Sequence, residues 1–244
     1  MIKVAVVGAN GKMGSETIKA VSETNDLKVV AKLDSGSKLE EMLEADVMVD
    51  FTHPEVSEKN VRFAIENGVH CVVGSSGWNQ GKQAELTKLL EKYPETNVFI
   101  APNFALGAVM AMSFATKAAK FFDSVEVIEM HHPQKVDAPS GTAVSTAESI
   151  AKARKEAGCA PIPDATIDDG GARGADIDGV KVHAVRLQGL VAHQEVLLGN
   201  PGEQLVLRHD SFDRKSFMPG VVLAVREVQK HQGLTVGLDK LMGI

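Results

Sequence analysis

Met1-Ile2-Lys3-Val4-Ala5-Val6-Val7-Gly8-Ala9-Asn10-Gly11-Lys12-Met13-Gly14-Ser15 is the stretch that decides the fold. A flat apolar run, Ile2–Val7, is followed at once by the glycines of a G-x-x-G-x-x-G pattern and then by a helical pattern from Met13 to Ser22. Strand, glycine turn and helix in that order make a phosphate cradle. The backbone must turn tightly and come close to a pyrophosphate, and the helix start supplies free amides and a partial positive charge. A glycine turn serving only strand-to-helix packing is the alternative. Asp34 weighs against it: it stands twenty residues beyond Gly14, after a second strand pattern at Leu27–Leu33, where a carboxylate can take adenosine ribose hydroxyls.

Outward from this unit, strand patterns recur at Val47–Phe51, His70–Val73 and Val98–Ala101. Helical patterns lie at Ser57–Asn67, Gln80–Tyr93 and Ala108–Phe122. Val-rich runs without alternation suit strands covered on both faces, and regular alternation of strand with helix predicts a doubly wound, Rossmann-like parallel sheet. Two further loops follow strand ends on the same edge: Gly74-Ser75-Ser76-Gly77 and Ala101-Pro102-Asn103-Phe104. Ligands of open α/β sheets sit at that edge, although each loop taken alone also reads as a plain turn.

The pattern changes near Ser124. A strand at Val125–Met130 leads into His131-His132-Pro133, a Pro-Ser-Gly turn, and a helix over Thr142–Ala157 that stops at Gly158. Residues 160–179 are rich in Gly, Pro and Asp and predict a long loop, a kind that often serves as a lid. Strand patterns at Val182–Leu187, Ala192–Leu198 and Gln204–Asp210 suggest an antiparallel meander, and Ser216–His231 is helical again. The expectation is an α/β protein of two domains, the second an α+β domain on a mostly antiparallel sheet.

Composition narrows the function classes. With 244 residues, 44% hydrophobic and 24% charged, the chain is in the ordinary globular range. A net charge of −6 argues against a nucleic-acid partner. No apolar run is long enough for a membrane span, and the immediate strand pattern leaves no room for a signal peptide. Cys71 and Cys159, the only cysteines, do not make a disulfide framework, so the expected compartment is the cytoplasm.

His131, His132 and Lys135 fall within five residues at a strand end, and Ser140-Gly141-Thr142 opens the next helix. Ser140 is a natural N-cap, and Gly141 lets a ligand approach the backbone. Two histidines, a lysine and a helix N-terminus form a convergent site for carboxylates, in which Lys135 can donate a proton if burial or neighbouring cations lower its pKa. Simple packing is the competing reading, since adjacent histidines on a strand point to opposite faces; Pro133 ends the strand and lets both turn to one cavity. No metal is expected, because the histidines lack partner cysteines or an H-E-x-x-H pattern.

The segment Glu129-Met130-His131-His132-Pro133-Gln134-Lys135-Val136-Asp137-Ala138-Pro139-Ser140-Gly141-Thr142-Ala143 resembles the E-x-H-H-x-x-K-x-D-A-P-S-G-T-A signature of the dihydrodipicolinate reductase family. Gly8–Gly14, Asp50-Phe51-Thr52 and Ala101–Phe104 are similar to that family's other motifs, in order and spacing. The resemblance implies NADH- or NADPH-dependent reduction of 4-hydroxy-tetrahydrodipicolinate in lysine and diaminopimelate biosynthesis, with a small dicarboxylate substrate and a homotetramer built through the second domain. It implies a dinucleotide-binding domain of residues 1–106 and 216–244, and a substrate-binding and oligomerisation domain of residues 107–215. Carried over, His131 takes part in proton transfer and Lys135 donates the proton, while His132, Gly141 and Thr142 contact substrate carboxylates. Gly8, Ala9, Asn10, Gly11, Lys12, Met13, Asp34, Gly74, Ser75, Ser76, Ala101, Pro102, Asn103 and Phe104 line the cofactor. Two departures stand out. Ser75-Ser76 replace the family's Thr-Thr, and Ser35 stands where some members carry an arginine for a 2′-phosphate, so strict NADP preference is not implied.

Two other functions compete. A semialdehyde dehydrogenase needs an activated nucleophilic cysteine, which neither Cys71 nor Cys159 resembles. A redox-sensing binding protein would have no use for Lys135 and two histidines beside a carboxylate-binding turn.

Overall fold

The computed structural model describes residues 1–244 and divides into two compact units, Met1–Leu106 with Arg214–Ile244, and Gly107–Asp213. The first is a six-stranded sheet. Its strands are β1 (Ile2–Val7), β2 (Leu27–Leu33), β3 (Val47–Asp50), β4 (His70–Val73), β5 (Val98–Ile100) and β11 (Leu234–Val236), in the order β11-β5-β4-β3-β1-β2. Every neighbouring pair is parallel. Val7 pairs with Asp50, Asp50 with Val73, and Val73 with Ile100, so the loops after these strands emerge along one edge.

The flat apolar strands are explained by burial on both faces. Ala5, Val7, Met48, Cys71 and Val73 pack with Val61 and Ile65 of α2 (Pro54–Glu66) and Leu86 and Leu90 of α3 (Gln80–Leu90). Val4, Val6, Val47, Val49 and Val72 alternate to the other face and are fully buried. On that side α1 (Lys12–Ser22) packs on β1, and α6 (Met218–Glu227) packs on β4 and α1. The chain thus returns to the first unit at Arg214, slightly before Ser216. Beyond α6, β11 and α7 (Leu238–Met242) extend the unit further than the helix expected over Ser216–His231.

The second unit is a five-stranded mixed sheet of β6 (Ser124–His131), β7 (Ala175–Ile177), β8 (Val180–Arg186), β9 (Ala192–Asn200) and β10 (Glu203–Ser211), in the order β10-β9-β6-β8-β7. Only β9 and β10 form the expected hairpin. The meander reading of β8 is corrected here: β8 pairs parallel to β6, and β9 pairs antiparallel to the other side of β6. The physical reason is α5 (Gly141–Glu156), which lies between β6 and β8 in the chain and makes the long crossover that parallel pairing requires.

One face of this sheet carries the core: Val125, Val127, Val182, Val196 and Leu198 pack on Ala143, Ala147 and Ile150 of α5 and on Ala115 of α4 (Leu106–Ala118). Arg154, nearly buried on α5, has no acid partner. Its guanidinium donates instead to the carbonyls of Ala119 at 2.8 Å, Asp123 and Ala160 at 3.1 Å, and Phe122, tying together chain ends that no strand pairs. In the long loop, Asp168 accepts the amides of Gly170, Ala172 and Arg173, and the Arg173 guanidinium bridges Asp164 and Glu126. Glu126 belongs to β6, so the loop is anchored on the sheet at Arg173.

Candidate active site

The β1–α1 turn has the shape of a phosphate cradle. Gly8 adopts φ +82, a left-handed conformation that side chains disfavour, and a Cβ there would lie 2.9 Å from the Phe51 carbonyl oxygen. A Cβ on Gly14 would overlap the Gly8 carbonyl itself. Gly11 caps α1 without any side-chain hydrogen bond, so no side chain occupies the amides of the first turn. Gly8, Ala9, Asn10, Gly11, Lys12 and Met13 therefore lie together in this turn, with Asn10, Gly11 and Lys12 exposed. Asp34 joins them: its Oδ2 accepts the Asn10 amide at 2.6 Å and its Oδ1 the Ser35 amide at 3.2 Å. These features fit a dinucleotide.

The other strand-end loops lie on the same edge, with mixed roles. A Cβ on Gly74 would strike the rings of Phe51 and Phe104, which meet edge to face at 5.6 Å. Phe104 and Ala101 are buried and support the loop from beneath, whereas Pro102 is exposed. The Asn103 side chain accepts the Ala105 amide at 2.8 Å. Ser75 is buried with its hydroxyl donated to Ser57 at 2.5 Å, which leaves exposed Ser76 as the accessible hydroxyl of this loop. Asp50 is also fully buried, accepting both the amide and hydroxyl of Thr52 and the Asn60 amide group, so it shapes the edge from within.

In the second unit, Glu129 organises the site. It points into the core, fully buried, and its carboxylate accepts four hydrogen bonds. Arg186 of β8 donates to both oxygens at 2.8 Å, the Ser140 amide donates to Oε1 at 3.0 Å, and His131 Nδ1 lies 2.6 Å from Oε2. Burial raises the Glu129 pKa, but the Arg186 and His131 hydrogen bonds and the Ser140 amide outweigh it and hold the carboxyl below its usual range. An ionised carboxylate only accepts, so Nδ1 of His131 carries the hydrogen and Nε2 presents a lone pair. Burial is the chief cause lowering the His131 pKa; Glu129 opposes it, and Lys135 and Arg186 add to it.

The same network places the start of α5. Ser140 caps the helix by accepting the Ala143 amide at 3.2 Å while its own amide is pinned on Glu129. Gly141 is exposed and Thr142 half-buried in the first turn. Lys135 Nζ donates to Asp137 at 2.8 Å. Asp137 is held below the usual carboxylate range, chiefly by Lys135, with the Gly141 amide contributing. His132 is half-buried with Nδ1 enclosed and without a partner, an atom suited to an incoming acceptor or donor. His131 and the helix start thus converge on Glu129, and Lys135 reaches the same helix start through Asp137.

Reasoning from sequence missed Arg186, which sits in an ordinary strand pattern, and gave Glu129 no role. No group of His, Cys, Asp and Glu in the structure is arranged to hold a metal ion. Cys71 is buried with its thiol pushed far upward by burial, the reverse of an activated nucleophile.

A glycine turn beside a carboxylate on a parallel sheet, and a second sheet that gathers two histidines, a lysine and a helix start, are the parts that a nicotinamide-dependent oxidoreductase of small acids uses. The family profiles "Dihydrodipicolinate reductase, N-terminus" and "Dihydrodipicolinate reductase, C-terminus" match residues 2–104 and 107–242. The chain belongs to the dihydrodipicolinate reductase family, NAD(P)H-dependent enzymes of lysine and diaminopimelate biosynthesis. It is 55% identical over 246 residues to the 4-hydroxy-tetrahydrodipicolinate reductase of Nocardia farcinica, covering 100% of this chain and 99% of that one. It is 56% identical over 251 residues to the enzyme of that name from Bifidobacterium longum, covering 100% of both. Among solved structures, dipicolinate-bound dihydrodipicolinate reductase from Paenisporosarcina sp. TG-14 is similar at a TM-score of 0.87 and 38% identity, over 98% of this chain and 99% of that one. No helix is long and apolar enough to cross a membrane.

Proposed function

We propose that this protein reduces 4-hydroxy-tetrahydrodipicolinate to tetrahydrodipicolinate, taking either NADH or NADPH. The observation that carries the reading is the end-to-end match to relatives of that activity. The substrate loses its hydroxyl as water to give a conjugated ring with two carboxylates. The reduced nicotinamide, when bound, supplies a hydride to a ring carbon made electrophilic by the ring nitrogen. The turn Gly8–Met13 holds the pyrophosphate, Asp34 the ribose, and the loops Gly74–Ser76 and Ala101–Phe104 border the nicotinamide, in part by supporting packing.

In the second unit His132, the amide of Gly141 and the hydroxyl of Thr142 grip a substrate carboxylate. Lys135 donates the proton to the atom that gains electron density. It suits this role as a resident ammonium beside the helix start. His131, with Nδ1–H on Glu129, offers Nε2 as an acceptor and orients what Lys135 protonates. A substrate carboxylate at the α5 amides displaces Asp137 from the Gly141 amide, which loosens the hold of Asp137 on Lys135 and lets the ammonium turn to the substrate. The test is cofactor oxidation at 340 nm on adding the product of the preceding synthase; no oxidation with either cofactor would refute the reading.

The same proposal includes a homotetramer and a cytoplasmic setting. Ile128, Met130, Leu197 and Val206 lie on the face of the second sheet turned from its core, incompletely buried. Apolar side chains in that position favour covering by another copy of the chain. Both cysteines are unpaired, as a reducing compartment requires. Light scattering that reports a monomer at micromolar concentration would refute the assembly.

A further inference from the structure

We infer that Arg186 and Glu129 form a buried positioning pair, through which one carboxylate fixes both the ring of His131 and the anion-binding start of α5. The inference rests on the reading that reduction takes place at this pocket. Arg186 and Glu129 are 57 residues apart and meet because β8 pairs parallel with β6, which places Arg186 directly opposite His131. The guanidinium takes both Glu129 oxygens and also donates to the Asp137 carbonyl at 2.7 Å, so it fastens the His132–Pro139 loop as well. A bidentate pair fixes the carboxylate plane, and Glu129 then has one remaining direction on each oxygen. One is taken by the Ser140 amide and the other by His131 Nδ1.

Two consequences follow. The tautomer of His131 is set, with the Nε2 lone pair turned from Glu129. Arg186 also neutralises Glu129, so this carboxylate orients the imidazole without making it a permanent cation. The charged groups facing His131 are Glu129 on its own strand, Arg186 on β8 and Lys135 on the following loop. From β9 it pairs with Ala192; Gln194, opposite Glu129, donates to Thr146 of α5, and the Ser140 amide at the cap of α5 is held on Glu129, all of them uncharged groups.

The test begins with wild-type protein labelled with 15N at histidine. Long-range 1H–15N spectra at neutral pH should show the His131 signal, identified by its absence in His131→Ala, as the Nδ1–H tautomer; an Nε2–H tautomer overturns the inference. Glu129→Gln should switch it, because Arg186 and Ser140 claim the amide oxygen and turn the NH2 group toward Nδ1; an unswitched tautomer overturns the inference. Arg186→Met should lower kcat/KM by roughly a hundredfold, the scale of a slight misplacement of catalytic groups, and move the His131 limb of its pH profile to higher pH. Arg186→Lys should restore the limb but not the turnover, and an unmoved limb in folded Arg186→Met counts against the pair. Dipicolinate binding by calorimetry should weaken in Arg186→Met as the α5 start loosens; wild-type affinity there refutes the link to the helix. If Arg186→Met does not fold, the wild-type and Glu129→Gln tautomers still decide. Full turnover in His131→Ala would instead refute the placement of the reaction at this pocket. Lost turnover in that variant with an unswitched Glu129→Gln refutes the pair alone.

Discussion

The proposed cofactor edge of the first unit and the proposed carboxylate pocket of the second would bind anions by different means. The edge presents backbone: helix-start amides, a turn with Gly8 at φ +82, and glycines at Gly14 and Gly74 whose lack of a Cβ allows close approach. Its buried polar side chains, Asp50, Ser57 and Ser75, shape the loops without being exposed. The pocket presents side chains, each held by another: Lys135 on Asp137, His131 on Glu129, and Glu129 on Arg186. A backbone cradle tolerates varied side chains and no added Cβ at its close approaches. A relay of side chains fails through any one of its members, including members far from the substrate.

If that contrast holds, the largest effect on turnover should come from the pocket. Lys135→Ala removes the proposed proton donor and should lower turnover by roughly two to four orders of magnitude, the usual worth of a positioned acid. Cofactor affinity, read by quenching or calorimetry, and melting temperature should barely change. Near-wild-type turnover would show that Lys135 is a surface residue paired with Asp137 and nothing more.

Next comes the edge. Gly14→Ala puts a methyl group on the Gly8 carbonyl, so the turn must open. Cofactor affinity should fall by roughly a hundredfold, about 2.7 kcal/mol, while dipicolinate binding to the second unit stays at its wild-type value. Equal losses for both ligands would mean that the two sites are not separable. Unchanged cofactor affinity would mean that the turn is not the cradle.

Thr142→Val is a gentler cut, deleting one hydroxyl at the α5 start. A charge-assisted hydrogen bond to a substrate carboxylate is worth about 2 kcal/mol, so the substrate KM should rise roughly thirtyfold with kcat little altered. An unchanged KM would show that the first turn of α5 does not face the substrate.

The two regions also differ in how far the sequence reveals them. Gly8, Gly11, Gly14 and the strand before them are consecutive, so local spacing determines the turn, and Asp34 is only one strand away. The pocket is half local. His131, His132, Lys135 and Thr142 stand out within one segment, but Arg186 lies in the strand pattern Val182–Leu187, where nothing distinguishes it from a solvent-facing arginine. Its partner emerges only from the β6–β8 register. The meander reading failed for the same reason. Short glycine turns suggest hairpins, whereas α5 makes β8 the parallel neighbour of β6. β11 was out of reach in another way: three residues between Gly233 and Gly237 have no periodicity, and only pairing with β5 makes them a strand.

The smallest expected effect concerns the choice between NADH and NADPH, where the edge departs from pure backbone recognition. Asp34 accepts the Asn10 amide on one oxygen and the Ser35 amide on the other, which fixes its carboxylate; in the proposed cofactor site it would accept ribose hydroxyls as well. The same fixed charge repels a 2′-phosphate, and Ser35 offers no cation to offset it. Lys12, exposed at the first position of α1, carries a flexible ammonium able to reach a 2′-phosphate. Lys12 is exposed and Asp34 only half-buried, so salt at physiological strength screens each of them over about 8 Å. The two cofactors should therefore lie within roughly tenfold of each other in kcat/KM, about 1.4 kcal/mol. Asp34→Ala should weaken NADH and spare NADPH, and Lys12→Ala should do the reverse. Parallel assays of the three proteins with both cofactors decide the matter. A wild-type preference beyond roughly a hundredfold would mean that one side chain dominates, and the edge would then be governed by a side chain in the same way as the pocket.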